Sequence, residues 1–346
     1  MKELPAGFAL EVVDVRTAPD DVLRAMFAVA TAIEREDVPE PPWVPESEWV
    51  AELRADAGIQ DRSDRLVRGP DGAPVGVGHF WATRSEENRH RAKLVVQVVP
   101  AARRQGVGSH LLGEVASAAL DAGRTRVQTW TTTAGDGAAF AERWGVLTED
   151  ELELNRLRTA ELDRAQLDRW VARAGERAAG YELLSWDGRC PDALRADFVA
   201  ARQVMNTAPQ TSDHVDEVFT VEKLDELEAS WVESGIPWST VVARHVTGGS
   251  IVGYTELAYS EDEPSLCYQG DTAVDPAHRG LGLGRWLKAT LLLRTLAERP
   301  EVAVIDTYNA GSNDAMIAIN RELGFQVILR TERRQGDLAE LVARLA

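Results

Sequence analysis

An eleven-residue pattern occurs twice in this chain, and the repeat constrains the fold more than any other feature of the sequence. The first copy reads VVPAARRQGVG at residues 98–108, and the second reads VDPAHRGLGLG at residues 274–284. Both copies fit V-x-P-x-x-R-x-x-G-x-G. Their arginines, Arg103 and Arg279, are separated by 176 residues, about half of the 346-residue chain. The repeat therefore indicates two domains of similar design.

The surroundings of the two copies repeat as well. Each copy follows an apolar stretch that is typical of a strand and precedes a stretch with helical spacing. A second apolar strand and a short helix come next, and the short helix ends in Trp144-Gly145-Val146 or Leu323-Gly324-Phe325. The corresponding ranges are 93–99 and 265–274 for the first strands, 109–120 and 285–298 for the helices, and 125–132 and 301–308 for the second strands. The order strand–turn–helix–strand–helix predicts an α/β fold in each half.

The chain length supports the same division, because 346 residues are too many for one ordinary core. Residues 160–178 are polar, with apolar side chains at helical spacing, and are predicted to form a connecting helix. We therefore expect an N-terminal domain at 1–159 and a C-terminal domain at 179–346. Each domain is expected to contain a mixed, twisted sheet flanked by helices.

The repeated turn has the properties of an anion-binding site. Backbone N–H groups at the start of a helix have no intrahelical partners, and the helix dipole attracts negative charge there. Gly282 and Gly284 let a pyrophosphate approach the backbone closely, and Arg279 adds a charge-assisted contact. The spacing fits neither the P-loop motif G-x-x-x-x-G-K-[ST] nor the dinucleotide motif G-x-G-x-x-G, since Gly280, Gly282 and Gly284 run G-x-G-x-G.

Arg-x-x-Gly-x-Gly after a V-x-P strand end resembles the acyl-CoA pyrophosphate loop of the GNAT acetyltransferases, and the two halves together resemble tandem GNAT proteins such as the mycothiol synthases. The resemblance implies that loop 279–284 wraps the pyrophosphate of acetyl-CoA and that a backbone N–H near Val274 polarises the thioester carbonyl. It also implies that the segment 309–325 flanks the pantetheine arm. The cofactor-binding residues are then Val274, Arg279, Gly280, Leu281, Gly282, Leu283, Gly284, Arg285, Asn309 and Asn313.

The first half keeps part of the same loop. A second acyl-CoA site there would be formed by Val98, Arg103, Arg104, Gly106 and Gly108. The preceding strand, KLVVQVV, has no acidic residue that could act as a general base. We therefore expect the first domain to be non-catalytic, and either to bind CoA or to serve only as a packing partner.

Two carboxylates of the second half are candidates for the general base that removes a proton from an ammonium acceptor. Glu256 lies in the apolar strand SIVGYTELAY, where burial would raise its pKa toward that of a useful base. Asp271 lies three residues before Val274, and strict alternation places it on the opposite face of the strand unless a bulge reverses the alternation. We favour Glu256 because its position needs no bulge. Either carboxylate can alternatively pair with an arginine or cap a loop.

One residue departs from the GNAT pattern. Many members carry a tyrosine three residues before the Leu of Leu-Gly-Phe, as the acid that protonates the leaving thiolate, whereas Asn320 stands at that position here. Asn320 can contact a thiolate through a hydrogen bond but is no useful acid. Water or another group, such as Tyr308, then supplies the proton.

Composition restricts the partners. The formal net charge of −18 disfavours nucleic acid and anionic membranes and favours a cationic small molecule, although a generally acidic surface explains the same number. The sequence has no apolar N-terminal leader and no long apolar run, so a cytoplasmic location is expected. Cys190 and Cys267 are too few for a disulfide framework, and the six histidines show no ligand spacing, so no metal is expected.

These observations predict an N-acetyltransferase that moves an acetyl group from acetyl-CoA to an amine of a small acceptor, for which a cation is one option. No cysteine lies near the motifs, which favours direct attack of the amine over a covalent intermediate. The alternative is a non-catalytic acyl-CoA-binding or sensor protein. The sequence leaves the acceptor and the acyl chain length open, and either a monomer or a homodimer is expected.

Overall fold

The structure is a computed structural model that describes residues 3–133 and 135–346, except for the side chain of Ala57. It divides into two compact units. Unit 1 comprises the chain up to Leu152 together with Thr211–Val215 and Leu329–Ala346, and unit 2 comprises Glu153–Gln210 and Asp216–Ile328. The units therefore follow the two halves of the sequence, except that the end of each half and the short segment Thr211–Val215 belong to the other unit.

In each half of the chain two helices precede three consecutive strands, and the helix after the glycine-rich loop follows them. The strands are β1 (Ala9–Val13), β2 (Gln60–Arg68), β3 (Pro74–Thr83), β4 (Arg91–Val98), β5 (Arg126–Thr132), β6 (Leu147–Arg158), β7 (Tyr181–Asp187), β8 (Trp238–His245), β9 (Ile251–Tyr259), β10 (Leu266–Val274), β11 (Val304–Ala310) and β12 (Gln326–Asp337). The helices are α1 (Asp20–Asp37), α2 (Glu46–Ile59), α3 (Val107–Asp121), α4 (Asp136–Arg143), α5 (Arg164–Arg177), α6 (Arg195–Arg202), α7 (Val221–Ser234), α8 (Leu283–Glu298), α9 (Asp314–Leu323) and α10 (Leu338–Leu345).

Each unit contains a mixed sheet with the same arrangement. In unit 1 the order is β1-β2-β3-β4-β5-β12, and β4 and β5 form the parallel pair. In unit 2 the order is β7-β8-β9-β10-β11-β6, and β10 and β11 form the parallel pair. The predicted α/β class with a mixed sheet in each domain is confirmed. The segment predicted to connect the domains contains α5, which belongs to unit 2.

The helix that follows each glycine-rich loop packs an apolar face into the core of its own unit. In α3 the buried positions include Leu111 and Val115, and in α8 they include Leu283, Leu287 and Leu291. These residues recur every four positions, which places them on one face of a helix. Burial of each such side chain is worth about 1.5–3 kcal/mol, so the loop ahead of each helix is fixed by a well-packed element.

The two units differ in the strand that leads into the loop. In unit 2, Gln269 pairs with Leu257 and Thr272 pairs with Thr255, so β10 carries one residue more than β9 between these pairs. This is a β-bulge. The side-chain amide of Gln269 donates to the backbone oxygen of Glu256 at 2.6 Å and satisfies a carbonyl beside the bulge. In unit 1, β3 and β4 pair without any register shift.

Among the residues that the structure describes, no helix combines the length and the apolar character needed to cross a bilayer.

Candidate functional site

A cavity of about 680 Å³ opens in unit 2 around the second glycine-rich loop. Its volume lies in the range of small-molecule and cofactor sites. It brings together most of the residues that the sequence predicts for acyl-CoA binding, with Asn309 as the exception. The predicted residues that line it are Val274, Arg279, Gly280, Leu281, Gly282, Leu283, Gly284, Arg285 and Asn313.

The loop backbone directs the start of α8 toward this cavity. Gly280 and Gly282 have φ angles of 81° and 85°, in the left-handed region that favours glycine, and Gly282 is the N-cap of the helix. No side chain caps this end of α8, so its first N–H groups remain available to a ligand. Together with the helix dipole they form an anion-binding surface.

The arginines of the loop differ in what they contact. Arg279 donates through Nε to the backbone oxygen of Val274 at 2.9 Å and through Nη2 to Oγ1 of Thr207 at 2.9 Å, and both acceptors are neutral. Arg285 instead forms an ion pair with Glu322, with contacts of 2.6 and 3.0 Å. Of these two arginines, Arg285 is thus paired with a carboxylate and Arg279 is not.

The first loop has a similar backbone but is already paired with a carboxylate. Gly106 is the N-cap of α3 with a φ angle of 97°, and Arg103 donates through Nε to the backbone oxygen of Val98 at 3.0 Å. The two terminal nitrogens of Arg103 donate to the carboxylate of Glu36 at 2.9 and 2.5 Å. These hydrogen bonds lower the pKa of Glu36, so the carboxylate is ionised and holds the arginine.

Other parts of the predicted second site are also constrained. Arg104 has a φ angle of 63°, which is uncommon for a residue other than glycine. A Cβ atom added at Gly108 would lie 3.6 Å from the ring of Phe140, which packs over the start of α3.

The two predicted bases lie on adjacent strands and share one arginine. Glu256 has a side chain that is only 6% exposed, and its two carboxylate oxygens accept from Nη1 of Arg202 at 3.0 and 2.8 Å. Burial raises the pKa of Glu256, and Arg202 opposes that effect. Asp271 lies in the bulge of β10 with a side chain that is 38% exposed, and it is 3.5 Å from Nη2 of Arg202. The hydroxyl of Tyr254 also donates to Asp271 at 3.4 Å.

Arg202 itself was not predicted from the sequence. It ends α6 and is buried among the rings of Phe198, Phe219 and Tyr254, whose centroids lie 5.6, 4.9 and 5.3 Å from its guanidinium carbon. Such stacking, combined with two carboxylates, stabilises a buried cation. The available signal was Phe198 and Arg202 at helical spacing in α6, but nothing local links them to Glu256 or Asp271.

Asn320 lies behind the cavity wall, where it is engaged by other side chains. Nζ of Lys288 donates to Oδ1 of Asn320 at 2.9 Å, and Nδ2 of Asn320 donates to Oδ1 of Asn309 at 2.7 Å. Burial lowers the pKa of Lys288 to about 7. Tyr308, the other predicted proton source, has a side chain that is largely exposed.

Two further segments line the cavity and were not predicted to do so. One is α5, through Gln166, Trp170, Arg173 and Arg177, and the other is the segment 204–209, through residues such as Thr207. Neither segment carries a recognisable motif, so only the tertiary structure reveals their role.

Within residues 3–133 and 135–346, no group of three or more His, Cys, Asp or Glu side chains is arranged to hold a metal ion. Cys190 and Cys267 are both free and buried.

The family model described as the acetyltransferase (GNAT) family matches this chain twice, at residues 30–146 and 208–325. The two matches together cover more than half of the chain, and each contains one glycine-rich loop.

Two curated proteins match shorter stretches. The chain is 36% identical over 81 residues to the N-alpha-acetyltransferase RimI of Mycobacterium tuberculosis, which covers 23% of this chain and 48% of that protein. It is 37% identical over 94 residues to the mycothiol acetyltransferase of Frankia alni, which covers 26% of each protein. The chain thus spans about half and about a quarter of the lengths of these relatives.

Solved structures match over almost the whole chain at low sequence identity. A tandem GNAT protein from the clavulanic acid biosynthesis pathway has a TM-score of 0.76 at 22% identity, over 96% of this chain and 98% of that one. A GCN5-related N-acetyltransferase from Sphaerobacter thermophilus has a TM-score of 0.68 at 15% identity, over 97% of each chain. At these identities the likeness establishes the fold alone.

Proposed function

This chain belongs to the acetyltransferase (GNAT) family, and from that premise we propose that unit 2 transfers an acetyl group from acetyl-CoA to an amine of a small acceptor. The family matches in both halves and the full-length tandem GNAT neighbour confirm the predicted tandem GNAT fold. The observation that carries the functional proposal is the second loop. There, an arginine with neutral partners and an uncapped helix start face a cavity of about 680 Å³.

In the proposed complex, Arg279 and the first N–H groups of α8 bind the pyrophosphate of acetyl-CoA. Gly282 and Gly284 leave room for it, because neither has a side chain between the backbone and the cavity. The pantetheine arm then runs along α9, whose Met316 and Ile319 line the same cavity. A backbone N–H near Val274 polarises the thioester carbonyl.

We assign the general base to Asp271. A base must reach the acceptor amine directly or through one water. The 38% exposure of Asp271 supports this role, as does its place in the chain directly before Thr272 and Ala273, which line the cavity. Glu256 is buried and bound by Arg202 through both oxygens, which supports a role in holding Arg202 in place. The bulge at residues 270–271 sets Asp271 against Glu256 of β9, and both carboxylates contact Arg202 there.

The proposed reaction proceeds by direct attack. Asp271 takes a proton from the acceptor ammonium, and the nitrogen lone pair attacks the thioester carbon. The attacking nitrogen then carries an excess proton, which it releases to water as the carbon–sulfur bond breaks and the electron pair of that bond leaves with the sulfur as thiolate. Water protonates the thiolate, because Asn320 is no acid and its amide is bound to Lys288 and Asn309.

The charges near the base favour a cationic acceptor. Asp271 and Glu256 share one cation, Arg202, so the carboxylates of this cluster outnumber its positive charges. The overall charge of −18 adds attraction at longer range. A cytoplasmic location accompanies this proposal, and the two buried free cysteines support it.

The test is a screen of small amines with acetyl-CoA, in which release of free thiol is measured for the wild type and for Gly284→Glu. The carboxylate of Gly284→Glu is directed at the pyrophosphate position, so both turnover and acetyl-CoA binding by calorimetry are expected to disappear. Gly108→Glu in unit 1 is the matched control and is expected to keep both. Retention of acetyl-CoA affinity by Gly284→Glu would contradict the site assignment.

The rival function is a non-catalytic acyl-CoA sensor. It is favoured by Asn320, which stands where many GNAT enzymes carry a tyrosine acid. Acetyl-CoA binding that Gly284→Glu abolishes, together with no thiol release for any amine, would select the sensor.

A further inference from the structure

The helix α5 forms one wall of the cavity and presents two arginines to it. Arg173 and Arg177 line the cavity and are exposed, and they are four residues apart on one helix. At this spacing the Cβ atoms are about 5–6 Å apart on one face of a helix, so both guanidinium groups can reach one anion. Neither side chain has a hydrogen bond or an ion pair with any residue that the structure describes.

The lining of the cavity is basic although the chain is acidic. Its charged residues are Arg173, Arg177, Arg279, Arg285 and Glu322, which sum to +3 in a protein of net charge −18. Arg285 is neutralised by Glu322, and Arg279 belongs to the loop that binds the pyrophosphate. Arg173 and Arg177 therefore provide positive charge for a further anionic group on the same ligand.

The position of α5 is fixed, which makes the arginine pair a preorganised feature. Leu167, Trp170 and Ala174 are buried on the adjacent face of the helix, and Leu167 and Trp170 belong to the core cluster that also contains residues of α8. The guanidinium of Arg285 lies over the ring of Trp170 at 5.5 Å, so α5 and the loop are in direct contact. A ligand on the loop thus meets the arginines of α5 without any movement of the helix.

We propose that Arg173 and Arg177 form a phosphate subsite that binds the 3′-phosphate on the ribose of acyl-CoA. The helix that the sequence identifies only as a connection then belongs to the donor site. Arginine pairs suit a phosphate monoester because each guanidinium donates two parallel hydrogen bonds to its oxygens. This inference rests on the proposed binding of acetyl-CoA in unit 2, and it adds the group by which the protein distinguishes CoA from its 3′-dephospho form.

The experiment compares the dissociation constants of CoA and 3′-dephospho-CoA by calorimetry, so that no acceptor is needed. The wild type is expected to bind CoA more tightly by roughly tenfold to a hundredfold, as is typical of charge-assisted hydrogen bonds to one phosphate. In the double variant Arg173→Gln/Arg177→Gln this preference is expected to fall to about one, with unchanged affinity for 3′-dephospho-CoA.

Arg169→Gln is the matched control. Arg169 lies on the same helix but already pairs with Asp163 and Gln166, so its removal is expected to leave the preference intact. Thermal unfolding of all variants verifies the fold.

The possible outcomes separate this inference from the proposed function. Equal affinity of the wild type for both ligands overturns the subsite and leaves acetyl-CoA binding in place. A double variant that loses the same factor for both ligands also overturns it, because the arginines would then act on the pyrophosphate. If the wild type binds neither CoA nor 3′-dephospho-CoA, the proposed function and the subsite are overturned together.

Discussion

Loop 103–108 in unit 1 and loop 279–284 in unit 2 have similar backbones and different electrostatic surroundings. In both, a glycine in the left-handed region caps the following helix, and an arginine donates through Nε to the last carbonyl of the preceding strand. The terminal nitrogens of Arg103 then meet the carboxylate of Glu36, whereas Arg279 meets the hydroxyl of Thr207. The repeated motif thus determines the turn, and residues distant in sequence determine which partner the loop arginine contacts.

The strands beside the two loops also differ in the side chains that they carry at matching positions. Val98 pairs with Gly76 in unit 1, and Val274 pairs with Gly253 in unit 2. In unit 1, His79 follows the paired glycine by three residues and Val95 precedes the paired valine by three. In unit 2, Glu256 and Asp271 occupy these two positions. Nδ1 of His79 is 2.6 Å from the carboxylate of the buried Asp64. Unit 1 therefore has a histidine in contact with a buried carboxylate where unit 2 has the carboxylate pair, and its β3 and β4 pair without a bulge.

The largest expected effect comes from reversing the charge of each loop arginine in turn. Arg279→Glu places a negative charge at the pyrophosphate position and is expected to eliminate turnover. Arg103→Glu breaks the contact with Glu36 and is expected to lower the melting temperature while kcat stays largely unchanged. Steady-state kinetics below the melting temperature of both variants make the comparison, and equal losses of kcat would show that unit 1 is catalytic as well.

The next effect concerns the two carboxylates that unit 1 does not share. Asp271→Asn is expected to lower kcat/KM by roughly 10²–10⁴-fold and to flatten the acidic limb of the pH–rate profile, because the base is removed. Glu256→Gln is expected to keep that limb and to lose thermal stability, because the buried Arg202 loses its charged partner. The reverse pattern, with a flattened limb only in Glu256→Gln, would make Glu256 the base.

The sequence predicts the parts of this comparison that depend on local patterns. The loops, the strand–turn–helix order and the α/β class follow from residues close together in the chain. The contact of Arg103 with Glu36 joins residues 67 positions apart, and that of Arg202 with Glu256 joins residues 54 positions apart. No local periodicity reports such contacts, since each depends on how separate helices pack on the sheet.

The exchange of the final strands is another feature that the sequence does not reveal. β6 and β12 are both twelve-residue strands that follow a short helix, so pattern alone assigns each to its own half. The pairing depends on specific partners in the neighbouring strand. One example is the buried pair of Arg156 on β6 with Asp306 on β11, at 2.8 Å. Another is the hydrogen bond of Arg334 on β12 to Thr131 on β5, at 2.9 Å.

A third test addresses a difference inside the helices behind the loops. Lys288 in α8 occupies the position of Leu112 in α3, and Asn320 occupies that of Ala141, so unit 1 is apolar where unit 2 has a buried lysine and an amide. The pKa of Lys288 is lowered from 10.5 to about 7, so the unfolded chain binds this proton more readily than the folded one. The resulting cost, about 5 kcal/mol at most, is fully present below pH 7 and disappears as the pH rises toward 10.5.

Lys288→Leu, which copies unit 1, is therefore expected to reduce the gain in stability between pH 7 and pH 10. Removal of the buried ammonium is also expected to raise the free energy of unfolding at pH 7. This gain is reduced by about 1–3 kcal/mol, because Oδ1 of Asn320 is left without its donor. Denaturant unfolding at several pH values measures both effects. An unchanged pH slope in the variant would mean that Lys288 titrates at its ordinary pKa in the folded protein.

The smallest expected effect tests whether Glu36 alone prevents CoA from binding at the first loop. Glu36→Gln, made together with Gly284→Glu so that only unit 1 is observed, leaves Arg103 without its carboxylate. The ion pair is partly exposed and its loss is expected to cost at most about 1 kcal/mol of stability. Binding of CoA is expected to appear in this variant, detectable by calorimetry only at high ligand concentration. It is expected to be weak, because Asp37 and Asp136 still place negative charge near Arg103 and Phe140 still packs against Gly108.

Asp37→Asn in the same background is the control and is expected to bind no CoA, since Glu36 still holds the arginine. If Glu36→Gln binds no CoA at any concentration, packing around the helix start rather than the carboxylate closes this loop, and the contrast between the units lies in their shape as well as in their charge.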